Sequence, residues 1–330
     1  MTGGKYGYAY DFYNYVLKKR GFDIYQLDFN EPASRVRYLL RLFFKKYDLI
    51  VSWEISRAII PILTKHIYGW KGKLKHAKLI TMFTRDCGEE FSGHDLGLND
   101  KDFWAILLSI FNSDVITWNY DCFEEFQTYF PKFPKERFFV VHGGVDTNIY
   151  KLGDKTAYTQ SILTISHWFR PRKCLEALIS AMEFLPDWHL FIGGTFLQKD
   201  YEEFCHALAK QFSSRIHFLG FVDKTYWMSR IPIFTVPSRC ETGNESFVEA
   251  MACGCKVLRV EGAGDDEFLT KEQILPRNFS PKLLAEQILS ISENDCLPLD
   301  NVEVAKRYSW ENIEKEFDVI AHLCPNLFHL

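Results

Sequence analysis

Short apolar runs alternate with stretches of helical periodicity along most of this sequence, and that alternation restricts the fold more than any other feature. In the first part, Asp23 to Asp28, Tyr47 to Trp53, Lys78 to Thr84, Asp114 to Trp118 and Phe138 to Val141 read as strands. Between them, Ser34 to Lys46, Ser56 to Ile67, Lys101 to Asn112 and Phe123 to Tyr129 read as helices. A second series follows, with strands at Ile162 to Ser166, Trp188 to Ile192, Ile216 to Gly220, Ile231 to Val236 and Lys256 to Val260. Its helices are Lys173 to Phe184, Tyr201 to Phe212, the one carrying Glu249, Pro281 to Ile291 and Val302 to Leu323. Strands and helices in strict alternation predict parallel sheets covered by helices on both faces.

A chain of 330 residues exceeds what one hydrophobic core usually serves, so two domains are expected. The turn-rich stretch from His142 to Gln160 is the natural break, giving domains 1–150 and 151–330. Each is expected to be Rossmann-like. The opening Gly3-Gly4-Lys5-Tyr6-Gly7 is glycine-rich, and a glycine loop of this kind normally follows a central first strand. At residue 3 there is no room for one. Either the first domain is built without its first strand, or the chain start is abbreviated.

No run of 18 apolar residues occurs, so no membrane-spanning helix is expected, and the first residues lack the apolar core of a secretion signal. The nine cysteines show no metal-ligand spacing. Cys253 and Cys255 read as packing, and reduced thiols in a cytoplasmic protein are expected. Charge is unevenly spread. Residues 1–85 hold 16 Lys and Arg against 6 Asp and Glu, whereas residues 151–330 hold 19 against 25. The basic first portion suits an anionic acceptor or a peripheral contact with an acidic membrane surface. No nucleic-acid-binding signature accompanies it, so nucleic acid is not an expected partner.

The second series contains Pro237-Ser238-Arg239-Cys240-Glu241, then Glu249-Ala250-Met251-Ala252-Cys253-Gly254. Glu241 sits on a loop after a strand, and Glu249 lies eight positions later in a short helix that Gly254 ends. In an open α/β sheet, ligands bind beyond the carboxyl ends of the strands. Acceptor-only oxygens there suit a polyhydroxylated ligand. A capping acid and a solvated glutamate would give the same local pattern.

Taken together, these segments resemble the retaining nucleotide-sugar glycosyltransferases of family 4, which have the GT-B fold. The resemblance rests on Pro237-Ser238, Glu241, Glu249-Ala250-Met251-Ala252 and Gly254. Supporting pieces are Gly144-Val145-Asp146-Thr147, Arg172-Lys173, Gly193-Gly194, Phe218-Leu219-Gly220 and Tyr308-Ser309-Trp310-Glu311. It implies two Rossmann-like domains facing across a cleft, with the last helix, about 303–324, packing back on the N-terminal domain. Glu249 is implied to hold the nucleotide ribose and Glu241 the donor sugar. Lys173 is implied to reach the diphosphate, assisted by Arg172 and Arg170. Gly243, Asn244 and Glu245 stand where the family's donor loop runs, and Gly3 and Gly4 resemble the loop that faces the diphosphate from the first domain.

The sequence departs from the family at two places. His167 and Trp168 occupy the positions where an Arg precedes the phosphate Lys. Arg85 stands where the family often has a His on the sugar-transfer face, and a guanidinium cannot act as a base. Arg85 is expected either to bind an anionic acceptor or donor phosphate in the catalytic centre, or to form a surface ion pair with Asp86 or Glu89.

The function implied is transfer of a sugar, with retention, from a UDP- or GDP-sugar to a glycan, lipid-linked or other anionic acceptor. The nucleotide-sugar is a co-substrate, and no cofactor or metal is expected; Asp265-Asp266-Glu267 reads as acids at a helix start. A non-catalytic nucleotide-sugar-binding protein on the same scaffold and a nucleotide-sugar epimerase are the alternatives.

Overall fold

The computed structural model describes residues 13–19, 21, 40, 44–47, 49–53, 77–83, 110, 113, 115–118, 122–239, 241, 245–262 and 266–321. The strand expected at Asp23 to Asp28 and the helix at Ser56 to Ile67 lie outside them, as do most of Ser34 to Lys46 and Lys101 to Asn112. The chain divides into two compact units, one of Met1–Gly144 with Trp310–Leu330, the other Val145–Ser309.

In the first unit, β1 (Leu49–Trp53), β2 (Lys78–Phe83), β3 (Val115–Trp118) and β4 (Phe138–Val140) form a parallel sheet in sequential order. All four residues of β3 are buried, as expected of a strand covered on both faces. Trp118 anchors an aromatic cluster with Phe126 of α1 (Phe123–Tyr129) and Phe138 of β4, at centroid distances of 5.9 and 6.1 Å. The C-terminal helix belongs to this unit. Trp310 stacks on Tyr15 at 5.6 Å, and Glu314 pairs with Lys19 at 2.7 Å. Gly144 is required beneath that indole, because a Cβ there would lie 2.5 Å from Trp310.

The second unit begins at Val145 rather than at Lys151, because Val145 is itself buried in that unit's core and its N–H donates to the Tyr308 carbonyl at 2.9 Å. The same bond explains a second difference. The helix expected from Val302 to Leu323 is two helices, Leu297–Arg307 and Trp310–Ala321. With Val145 taking the Tyr308 carbonyl and pairing with Ser309, the helix cannot run on.

Six parallel strands form the sheet of this unit: β5 (Ser161–Phe169), β6 (His189–Phe196), β7 (Ile216–Gly220), β8 (Ile233–Thr235), β9 (Lys256–Val260) and β10 (Ile274–Leu275). Their spatial order is β10-β9-β8-β5-β6-β7, the doubly wound order of a dinucleotide-binding domain. Successive side chains enter opposite cores. Ile162, Leu190, Ile192, Ile233 and Leu258 pack with α2 (Leu175–Ala181), α3 (Lys199–Ala209) and α6 (Pro281–Ser292). Leu163, Phe191, Phe234 and Val257 pack on the other face with α5 (Glu245–Ala252) and with Ala305 of α7 (Leu297–Arg307). Each fully buried aliphatic chain contributes about 1.5–3 kcal/mol of transfer free energy.

Between β5 and β8 the order of winding reverses, so a crevice opens beyond their carboxyl ends. That is the position the loop after each of these strands must line. Asp266 is not at a helix start: it lies in a turn, where it accepts the Gly262 N–H at 2.7 Å and approaches Arg259 at 3.8 Å.

Candidate functional site

The turn after β5 and the loop after β8 are stitched together at the crevice. Pro171–Lys173 forms a tight turn, closed by Lys173 N–H donating to the Arg170 carbonyl at 2.8 Å. The Arg172 carbonyl then accepts from Ser238 Oγ and from Arg239 N–H, each at 3.1 Å. Ser238 is fully buried. Cys174 follows in the left-handed region at φ 48°, a conformation that costs a non-glycine residue about 1 kcal/mol or more and ends the turn abruptly. From α3, Tyr201 holds the start of α2: its hydroxyl accepts the Leu175 N–H at 3.1 Å and donates to Glu176 at 2.5 Å.

This stitching brings Lys173 Nζ onto the Glu241 carboxylate as a hydrogen-bonded ion pair. Both side chains are largely buried, at 13% and 12% exposure. Burial by itself would raise the Glu241 carboxyl, but the Lys173 charge and hydrogen bond, the Arg172 charge and the Ser238 hydroxyl together outweigh it. The carboxyl is held below its usual range and stays ionised at neutral pH.

A second pair lies one helix away. Lys224 opens α4 (Lys224–Met228), a short helix capped by Asp223, whose carboxylate accepts the Thr225 and Tyr226 N–H groups. Its Nζ contacts Glu249 at 2.7 Å and Ser246 Oγ at 3.2 Å, both on α5. Gly254 ends α5 at φ 75°, as the sequence indicates. Glu245, Ser246 and Glu249 therefore share a helix whose other face, Phe247, Val248, Ala250 and Met251, is sealed in the core.

Of the residues singled out in the sequence, Arg172, Lys173, Glu241, Glu245 and Glu249 gather at this end of the sheet. Arg170 precedes the turn and supplies its closing carbonyl. Gly3, Gly4, Arg85, Gly243 and Asn244 lie outside the described residues. Sequence reasoning missed Lys224, which stands 25 positions before its partner Glu249, a separation with no local periodicity to reveal it. His167 and Trp168 are both exposed, because a register irregularity between Ser166 and Trp168 turns them outward. Among the described residues no group of three or more His, Cys, Asp or Glu is arranged to hold a metal ion, and no helix is long and apolar enough to cross a membrane.

Residues 159–294 match the family model of glycosyl transferases group 1. An uncharacterized glycosyltransferase of Methanocaldococcus jannaschii is 30% identical over 187 residues, which is 54% of this chain and 51% of that protein. The chain thus spans about half the length of the curated relative it matches. Among solved structures, Anabaena HepE in complex with UDP-glucose superposes with a TM-score of 0.71 at 18% identity, over 90% of this chain and 84% of that one. Sucrose-phosphate synthase from Thermosynechococcus elongatus gives 0.68 at 17% identity, over 86% and 74%. The fold is that of the GT-B glycosyltransferases, an α/β architecture with two parallel sheets.

Proposed function

We propose that this chain is a glycosyltransferase of group 1 that moves a sugar, with retention, from a nucleoside-diphosphate-sugar to an acceptor. One observation carries the reading: two lysine–carboxylate pairs, Lys173–Glu241 and Lys224–Glu249, stand at the crevice end of a doubly wound sheet. The stretch matching the group 1 family model spans both. Lys173, with Arg172 beside it, serves the diphosphate; Glu241 takes donor-sugar hydroxyls and Glu249 the ribose. In the reaction the bond between the anomeric carbon and the diphosphate oxygen breaks, the acceptor hydroxyl oxygen bonds to that carbon on the face the diphosphate leaves, and the hydroxyl proton passes to the departing phosphate oxygen. The difficulty lies in the charge gathering on the leaving diphosphate. Fixed cations in a water-poor site lower that barrier without a strong base, so the proposal needs no metal ion.

UDP is the first donor nucleotide to test, because HepE was solved with UDP-glucose and shares this fold. The acceptor is assigned to the first unit, through its basic residues and Arg85, and an anionic glycan or lipid-linked acceptor suits that charge. The test is incubation of the protein with UDP- and GDP-sugars, with and without acceptor extracts, following sugar transfer and nucleotide release by mass spectrometry. Transfer or hydrolysis that disappears in Lys173→Met supports the reading. Tight nucleotide binding with no turnover of any donor replaces it with a binding protein, and an isomerised sugar without acceptor replaces it with an epimerase.

A further inference from the structure

The sequence predicts a helix from Lys173, yet α2 starts at Leu175 and Lys173 closes the turn before it. A helix running back to Pro171 would place that proline at its first position, where proline is favoured. It would need two more backbone bonds, Leu175 N–H to the Pro171 carbonyl and Glu176 N–H to the Arg172 carbonyl. One group of each is taken by another element. The Arg172 carbonyl accepts from Ser238 Oγ and Arg239 N–H at 3.1 Å each. The Leu175 N–H donates to the Tyr201 hydroxyl at 3.1 Å, and that hydroxyl donates to Glu176 at 2.5 Å.

Tyr201 is a firm anchor for that bond. It lies on α3, is 7% exposed, and its ring packs in the core beside Phe196 at a centroid distance of 6.1 Å. Burial and the Glu176 carboxylate push its phenol up, so the hydroxyl keeps the proton it donates. Between the two captured groups stands Cys174, left-handed at φ 48°. A non-glycine residue stays in that region only where its surroundings over-determine it. The loop after β8 supplies the restraint on the Arg172 side, and the Tyr201 hydroxyl supplies it on the Leu175 side.

We propose that Tyr201 is a positioning residue for the diphosphate site: by holding the Leu175 N–H it keeps Cys174 left-handed, and so keeps Lys173 out of α2 and on Glu241. The inference rests on the nucleotide-sugar reading of the site and adds a residue from α3 that acts through Lys173 rather than on the ligand. Without the hydroxyl, Cys174 relaxes into the helical region and α2 extends towards Pro171. Lys173 then turns with the helix, away from Glu241 and from the phosphates it serves.

The test is calorimetric titration of UDP and GDP, each against its monophosphate, into the full chain for wild type, Tyr201→Phe and Tyr201→Phe with Cys174→Gly. The monophosphates lack the second phosphate, so the preference for the diphosphate reads the Lys173 contact. Tyr201→Phe keeps the ring and should lower that preference by about tenfold or more. The double variant should restore most of it, because glycine holds the left-handed conformation without the restraint. A tyrosine with a merely structural role would lower the melting temperature and leave the preference at its wild-type value, and that result overturns the proposal. A double variant no better than Tyr201→Phe overturns it too. If wild type binds none of the four nucleotides, the function beneath fails, and NMR of the ligand-free protein decides the positioning claim alone. The Lys173 and Cys174 Cα resonances should move towards helical values in Tyr201→Phe, and unmoved resonances overturn the claim. Glu176→Ala, which removes the acceptor of the hydroxyl, should move the same resonances in the same direction and serves if Tyr201→Phe does not fold.

Discussion

Lys173, on the turn that follows β5, is ion-paired with Glu241, on the loop that follows β8, across the point where the strand order reverses. Sixty-eight positions separate them in sequence, and the fold makes them neighbours through the Arg172 carbonyl, which Ser238 and Arg239 both bind. A largely buried pair of this kind is costly to break one side at a time.

Removing Glu241 alone should therefore destabilise the unit more than removing both partners. Glu241→Ala and Lys173→Met are each expected to lose about 1–3 kcal/mol in urea unfolding. The double variant should recover part of that loss, a coupling of about 0.5–3 kcal/mol. Additive losses would show that the pair contributes nothing jointly.

The same pair predicts acid sensitivity. The folded-state Glu241 carboxyl is held below its ordinary value, so its contribution to stability is present above about pH 4.3 and is lost as pH falls through the folded value. Relative to Glu241→Gln, the wild type should lose stability below about pH 4.3 and not above it. Unfolding midpoints measured across that range check the sign.

Glu249→Gln should weaken nucleotide binding by about tenfold or more, since a charge-assisted hydrogen bond is worth about 1.5–3 kcal/mol. Glu241→Ala should chiefly reduce turnover. Equal kinetics in wild type and both variants would remove these residues from the site.

Gly194→Ala should be severely destabilising. Gly194 sits at φ 129°, and a Cβ there would lie 1.7 Å from the Ser166 carbonyl oxygen. That atom belongs to the backbone of β5, which cannot yield as a side-chain tip would. A loss of several degrees in melting temperature, corresponding to about 1–3 kcal/mol, is expected. Asn301→Leu should cost a similar amount, because it strands the Cys255 carbonyl, which Asn301 binds at 2.7 Å, and removes the amide oxygen to which Gln273 Nε2 donates at 3.1 Å.

Much of this arrangement was legible in the sequence wherever burial is periodic. Phe123–Tyr129, Ile216–Gly220 and Lys256–Val260 stand at their expected bounds because apolar runs and terminating residues coincide there. Glu241 and Glu249 were legible through the motif around Gly254. What escaped depends on contacts between distant segments. The break at Tyr308 and Ser309 is set by Val145. Lys173 is the last residue of a tight turn rather than the first of a helix, because Cys174 leaves the helical region. Lys224 finds Glu249 only after the sheet has been assembled.

If Val145–Ser309 grips a nucleoside diphosphate through Lys173 and Glu249, as proposed, a thermal-shift titration with UDP and GDP reads that grip out. At a ligand concentration of about 100 times Kd, the wild type should gain about 2.7 kcal/mol of stability from at least one of the two nucleotides. Lys173→Met and Glu249→Gln should gain much less at the same concentration. Wild type that responds to neither nucleotide, or variants that respond as fully as wild type, would contradict it.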